Sequence, residues 1–554
     1  MREKVFKPYE QKQGALLPPY LDDLISEGHI SKVLNKVIDG FDASDIIRRY
    51  KGGGAPAYHP VMMLKILIYG YMDGIYTSRK LAKAVRENIV YMWLAGGKTP
   101  DFRTINNFRL KLKDGIDLIF KQVVEVAMDY GLVGFKKLFV DGTKIEANSN
   151  KHKMVWRKNV ERMGPKIDEK INGFLEEIDR LNEEEDRIYG DKDFQEVEAE
   201  KEIKPEERNK KIQKAIEKIN EQMERKKKKL NKELKKALEQ KEENEKKKAK
   251  LGKRNSYSKT DESASAMKTK DDAIKPCYNL VIGTENQVIV NYEVEQNAGD
   301  GRCFRNLMEK GEKLYGQLPE AVCGDSAFGC VENYEYCEEK KMEAFLKYGM
   351  YHPEKKKKFK EDKFRKENFA YDEEEDVYIC PNGKSLKVEE EKEEITATGY
   401  KHVVKVYRCD DCTGCPFKEE CTKGSRRSIQ INKKLERYKT LARDRLNSPE
   451  GIKLRKQRGV DVETPFGDVK HNGKYRRFIL RGIKKVKIEA GLLSIAHNLK
   501  KIYTVDIEKK MKETALTLSK RLFNSPILKK LQLFLESTQL FSFPSLFSLS
   551  ASTF

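Results

Sequence analysis

The chain has 554 residues, more than one hydrophobic core usually organises, so several domains are expected. Its 111 Lys and Arg outnumber 89 Asp and Glu, a formal charge of +22 that points to a polyanionic partner, nucleic acid first. No stretch approaches the roughly 18 consecutive apolar residues of a spanning helix, and the start, MREKVFKPYEQKQ, lacks the apolar core of a secretory signal, so no membrane association and a cytoplasmic setting without disulfides are expected.

Residues 58–127 read as helical. HPVMMLKILIYGYMDGI is nearly all apolar, and SRKLAKAVRENIVYMWLAGG opens on a Ser cap and closes on Gly. The preceding KGGGAP reads as a flexible link. Beyond Pro100, DFRTINNFRLKLKDGIDLIFKQVVEVAMDYG offers Asp or Thr as a cap and sets Arg103, Arg109, Lys111 and Lys113 beside apolar residues. Short helices with a basic last member suit a helix-turn-helix; a plain bundle with a solvated basic face suits the pattern equally. A strand follows near residues 136–141. In KLFVDGTKIEANS, Asp141-Gly142 is a strong hairpin signal, so Gly142 is expected to turn the chain while Asp141 presents its carboxylate at a strand end. From Lys201 to Lys250, 20 Lys or Arg stand against 11 Asp or Glu. Ile216, Ile219, Met223, Leu230 and Ala237 keep a 3-4 spacing that Lys226 breaks, as in a coiled-coil hairpin or long exposed helix, either architectural or laid against DNA.

In CYNLVIGTENQVIVNYEVEQ, two β-rich runs flank GTEN, a hairpin signal. An amphipathic helix in DGRCFRNLMEKGEKLYGQ, an apolar strand running into Asp325 in EAVCGDSAFG, and a helix plus strand in ENYEYCEEKKMEAFLKYG come next. The charged run KKKKFKEDKFRKENFAYDEEEDVY interrupts this core. Then YICPNGKSL and YRCDDCTGCPFKEECTKG hold Cys380, Cys409, Cys412, Cys415 and Cys421, half of the ten cysteines. Thiolates at two-residue spacing on tight loops suit tetrahedral zinc, with metal-free reduced thiols as the alternative. Cys277, Cys303, Cys323, Cys330 and Cys337 read as core thiols. A helical pattern resumes from about Asn447 to Lys501. Lys470 would share the face of Glu463 on an unbroken helix, but Pro465 and Gly467 argue for a kink. Lys474, Arg476, Arg477 and Arg481 suit phosphate contacts.

Asp141 and Asp325 each end an apolar run and precede small residues that let something approach the backbone. A buried carboxylate costs several kcal/mol unless paired or bound to a cation. With Glu463 they make three carboxylates on separate elements, the requirement of two Mg²⁺ ions about 4 Å apart at a phosphodiester.

FVDGTKIEANSNK, VCGDSAFG and VETPFGDVKHNGKYRRFILRGIKKVKIEAGLLSIAHNLKK, with YHPVMMLKILIYGYMDGIYTSRKLAKA and PDFRTINNFR upstream, resemble the DDE transposases of bacterial insertion sequences. The resemblance implies an α/β fold: an RNase H-like mixed sheet flanked by helices. It divides the chain into a helical DNA-binding domain over 1–130, first core strands over 131–155, a charged coiled-coil-like insertion over 156–255 and the core again over 256–350. A cysteine-rich zinc-binding insertion over 351–440, the core helix with the third carboxylate over 441–505 and a tail over 506–554 complete it. Asp141, Asp325 and Glu463 become the Mg²⁺-binding catalytic triad. Lys470 becomes a DNA contact seven residues after Glu463, and Arg458 a DNA contact one residue away from the usual place, which Gly459 occupies. The related insertion favours Cys380, Cys412, Cys415 and Cys421 as zinc ligands, with Cys409 as alternate. The implied activity is cleavage of the element's ends and their joining to target double-stranded DNA, by a homo-oligomer acting at the bacterial nucleoid. A nuclease without strand transfer and a DNA-binding regulator are the alternatives.

Overall fold

The computed structural model describes residues 20–50, 56–189, 205–396 and 398–523. It is a mixed α/β protein whose central sheet is assembled from five segments: β1 (Lys137–Glu146), β2 (Ile274–Glu285), β3 (Val288–Glu295), β4 (Ala321–Gly329) and β5 (Glu343–Tyr348). The strand order is β3-β2-β1-β4-β5, with a short strand, Ser265–Lys268, also paired to β2. β3 pairs with β2 and β2 with β1 antiparallel, whereas β1 pairs with β4 and β4 with β5 parallel. Ten consecutive residues of β2, from Pro276 to Glu285, are buried, which requires cover on both faces of the sheet. Part of that cover is the helix Ile483–Phe523, whose Val486, Leu492, Ile495 and Leu499 are buried. Asn498 from this helix holds the backbone of Ile289 with both arms, accepting at 2.8 Å and donating at 2.7 Å.

The β2–β3 hairpin turns at Asn286-Gln287, both with positive φ (50° and 66°), as a two-residue primed turn requires. The sequence signal GTEN is thus within two residues of the actual turn. The Asp141-Gly142 expectation is overturned. β1 continues through it, Asp141 opposite Ile282 and Gly142 opposite Val281, and the ladder extends to Glu146 opposite Cys277. Glycine is required here for a different reason: a Cβ on Gly142 would lie 2.5 Å from Oδ1 of Asp300.

The N-terminal helices pack on the same body. Pro60–Met72 is buried on nearly every side, as its unbroken apolar sequence demands, and it packs against Ile483–Phe523. Arg109 does not face solvent as a DNA-reading helix would need. It is 1% exposed and donates to the carbonyl of Tyr76 at 2.6 Å, while Arg103, Lys111 and Lys113 remain exposed.

The charged segment forms a hairpin of two long helices, Arg157–Tyr189 and Pro205–Leu251. They run in opposite directions, joined by Ile167, Ile171 and Ala237 with Phe174 and Leu234, and by Lys241 to Asp168 at 2.8 Å. Leu230 is half-buried and Lys226 exposed, in keeping with the broken seam; the side chains of Ile216, Ile219 and Met223 lie outside the described residues. Two short strands, Met154–Trp156 and Ser256–Ser258, close its base. Residues 370–431 form a separate antiparallel five-stranded meander around Phe369, Tyr378, Leu386, Tyr407 and Ile429. No helix among the described residues is long and apolar enough to cross a membrane. Residues 51–55 of KGGGAP and the Ser- and Phe-rich ending LFLESTQLFSFPSLFSLSASTF lie outside the described residues.

Candidate active site

The parallel register of β1 and β4 pairs Lys137 with Ala321 and ends with Val140 beside Gly324. Asp141 and Asp325 are the next residue on each strand, so two carboxylates stand side by side at a strand spacing of about 4.8 Å. Regular pairing of β4 with β5 also stops at Gly324. Asp325 uses one oxygen to accept the Ala327 N–H at 3.0 Å, an Asx-type turn. Arg458, from the helix Pro449–Gly467, reaches between the two: its guanidinium is 3.4 Å from Oδ2 of Asp141 and 4.0 Å from Oδ2 of Asp325. Burial raises the Asp141 carboxyl above its ordinary range. Arg458 and the Gly142 N–H oppose this, and the charges of Asp325 and Asp300 add to it.

Asp300 is the residue that sequence reasoning missed. It opens a short 3₁₀ turn after β3, packs over Gly142, and is held by Lys144 Nζ at 2.8 Å and Asn279 Nδ2 at 2.6 Å. Its neighbour Gly301 lies against the backbone of Ala327, where a Cβ would come within 2.1 Å of the carbonyl oxygen. The small residues after Asp141 and Asp325 therefore admit one and the same segment of this chain. A signal existed, since Asn-Ala-Gly-Asp-Gly follows a strand, but only the tertiary fold shows what it approaches.

The Pro449–Gly467 helix continues through Pro465 and then widens into a π turn over Asp468–Asn472, closed by the Gly473 N–H to the Asp468 carbonyl at 2.7 Å. This widening separates Glu463 from Lys470. Lys470 is half-buried against β1, donating to Thr143 Oγ1 at 2.6 Å and the Lys144 carbonyl at 2.8 Å, and burial with nearby Lys270 pushes its pKa down to about 8. Glu463 is exposed and, among the described residues, makes no hydrogen bond or ion pair. Five residues at about 100° each leave it about 140° around the helix from Arg458. The buried acid of this helix is Asp461, which accepts the Gln287 N–H at 2.5 Å. The structure thus brings together Asp141, Asp325 and Arg458, with Lys470 two to three residues further along β1; Glu463 shares the helix but not the cluster.

The other basic residues divide. Arg477 donates to the carbonyls of Ala147 (2.9 Å) and Ser149 (2.8 Å), and Arg481 to that of Asn148 (2.8 Å), so both clamp the chain leaving β1. Lys474 and Arg476 are exposed. Tyr76 donates to the Gly473 carbonyl at 2.6 Å, tying the N-terminal helices to the π turn. Nearby, the fully buried Glu489 accepts the N–H groups of Ile479 (2.9 Å) and Leu480 (3.0 Å). Burial raises its pKa, with Arg109 opposing.

Among the cysteines, Cys409 is buried in the meander core and its thiol donates to the Asp411 carbonyl at 3.4 Å. Burial and a hydrogen bond with Cys412 push it up to about 11. Cys380, Cys412 and Cys415 are all close enough to Cys421 to act on its thiol, which burial raises. Even so, among the described residues no three His, Cys, Asp or Glu side chains stand close enough to hold a metal ion, at the thiols or at Asp141 and Asp325.

Fold and site describe a mixed α/β protein with paired acids on adjacent parallel strands and a basic helix beside them. Residues 379–503 match the family described as transposase DDE domain, and residues 19–111 match the transposase domain (DUF772). The first match contains Glu463 and Lys470, and neither contains Asp141 or Asp325. No curated protein and no solved structure matches the chain. The two matches, which together cover less than half of the chain, agree with an insertion-sequence DDE transposase.

Proposed function

We propose that the protein cleaves the ends of the insertion sequence that encodes it and joins them to target DNA by metal-dependent transesterification at Asp141 and Asp325, with Glu463 as third carboxylate. The observation that carries this is the carboxylate pair, side by side on β1 and β4 under Arg458. The strand order β3-β2-β1-β4-β5, antiparallel then parallel, supports an RNase H-like core interrupted by the charged hairpin and the cysteine-rich meander.

Two acceptor-only carboxylates, one of them strained by burial, fit a hard divalent cation such as Mg²⁺. When bound, a pair of such ions supplies Lewis-acid activation of water and then of the released 3′-OH. Asp141 and Asp325 would hold the pair, and Glu463, which faces away from them in this structure, would complete the oxygen set only once its helix turns toward them. Arg458 balances the acids' charge and draws them toward one point. Lys470, seated on β1 beside Asp141, offers a cation to the phosphate of a bound strand, and the exposed Lys474 and Arg476 continue that surface. Positioning and fixed charge do the protein's share of the work, without a covalent intermediate. Cys380, Cys412, Cys415 and Cys421 are the proposed soft-donor set for structural zinc, with Cys409, which contacts Cys412, as alternate. Action on paired ends implies an oligomer.

The test uses Mg²⁺, the element's flanking repeats and pre-cut ends. Asp141→Ala and Asp325→Ala should each abolish cleavage while sparing most DNA binding. Cleavage without joined product would identify a nuclease, and binding with no cleavage by the unaltered protein would identify a regulator.

A further inference from the structure

The two legs of the charged hairpin differ in sign. Arg157–Tyr189 carries 7 Lys or Arg against 10 Asp or Glu, whereas Pro205–Leu251 carries 18 against 10. Much of the positive charge on the second leg is answered locally: Lys228 pairs with Glu224, Lys241 with Asp168, Lys246 with Glu242, Lys247 with Glu243 and Lys250 with Glu262. Lys226, Lys229, Lys232, Lys235, Lys236 and Lys248 are different. All are exposed and, among the described residues, without an acidic partner, and of these Lys229, Lys232 and Lys236 lie closest together on one side. At 3.6 residues per turn these three fall within an arc of about 60°, while Leu230, Leu234 and Ala237, which meet the first leg, lie on average more than about 100° away. They form a stripe on the outer side of the hairpin, rising about 10 Å along the axis.

The stripe holds no aromatic side chain on which an unpaired base could stack, so a single strand gains little from it. A duplex backbone, with one charge per about 1.7 Å of axis, offers phosphates at a density that three long, mobile ammonium groups can meet. The second leg is about 70 Å long, roughly two turns of duplex, and the hairpin packs chiefly on itself and on the two strands at its base. We infer that the Lys229–Lys232–Lys236 stripe is a sequence-independent contact for the backbone of double-stranded DNA, through which the arm grips the duplex next to the cutting site. This rests on the transposase reading above.

The experiment compares the full chain with the K229Q/K232Q/K236Q variant, measuring affinity for a duplex oligonucleotide of unrelated sequence as NaCl is varied. Three phosphate contacts predict a log–log salt slope smaller by about 2.7, with helicity by circular dichroism unchanged. A second variant, K241Q/K246Q/K247Q, removes equal charge from lysines already paired with acids and should keep the parental slope. An unchanged slope in the first variant overturns the inference and is also what a stripe meant for an acidic protein would give. An equal fall in both variants overturns it too. If Asp141-dependent cleavage persists with an unchanged slope, only the arm assignment falls; if the unaltered protein binds no duplex DNA, the transposase reading falls with it.

Discussion

Gly142→Ala tests whether Asp300 truly belongs to the site. The new methyl would stand 2.5 Å from Oδ1 and 2.6 Å from Cγ of Asp300, almost 1 Å inside ordinary contact. Asp300 cannot step aside freely, because Lys144 at 2.8 Å and Asn279 at 2.6 Å hold it. Overpacking a filled position costs about 1–3 kcal/mol, and loosening hydrogen bonds to a charged group adds about 1.5–3 kcal/mol. The expected destabilisation is therefore about 3–5 kcal/mol, against which the small gain of replacing Gly in a strand is minor. The assay is thermal unfolding of the single and double variants. Gly142→Ala should lower the midpoint by about 6–20 °C at roughly 2–4 °C per kcal/mol. Asp300→Ala removes the obstacle, so adding Gly142→Ala to it should cost under about 1 kcal/mol, a coupling of more than about 2 kcal/mol. A Gly142→Ala protein as stable as the parent, or equal losses in both backgrounds, would refute the account of why glycine occupies this strand position.

Three further outcomes follow from the same geometry. Glu489→Leu leaves the N–H groups of Ile479 and Leu480 without acceptors in a buried site, so a loss of about 3–5 kcal/mol is expected by thermal unfolding, whereas Glu489→Gln should cost markedly less. Lys470 has a folded pKa lowered to about 8, so its charge is fully present well below that pH and is lost as pH rises through it. Affinity for duplex DNA should accordingly weaken between pH 7 and 9, and Lys470→Arg, which stays charged, should flatten that pH profile. Cys415→Ser should release zinc, measured by a chromogenic chelator on denaturation, while Cys409→Ser should lower stability and leave the metal content unchanged.

The periodic signals in the sequence were enough for the apolar helices, for β4 and β5, and for the β2–β3 hairpin to within two residues. Asp141 and Asp325 were legible as strand-associated acids because each follows an apolar run. What local sequence could not supply is what comes near. Asp-Gly is a turn signal in isolation, and only Asp300, arriving from 158 residues later (300 − 141 = 159 from Asp141 itself), makes Gly142 a strand residue. Arg109 looked like a surface cation because nothing nearby in sequence announces the Tyr76 carbonyl and the buried Glu489. The shared face assumed for Glu463 and Lys470 relied on a constant 3.6-residue turn, and the π turn at Asp468–Asn472 departs from it. Arg458 owes its central place to register between a helix and two strands, a relation with no signature along the chain.

The order in which the sheet is strung along the chain has a consequence for synthesis. Asp141 emerges from the ribosome early, but the Arg458 that caps it comes 317 residues later (458 − 141), and the Asn498 clamp on β3 later still. At about 5–20 residues per second that interval is on the order of 15–60 s. Once Asp325 has been made, the N-terminal helices and the charged arm are already synthesised, while 133 residues (458 − 325) still separate the acid pair from its counter-charge. On the function proposed above, the basic arm would be available to DNA before the acid pair is complete.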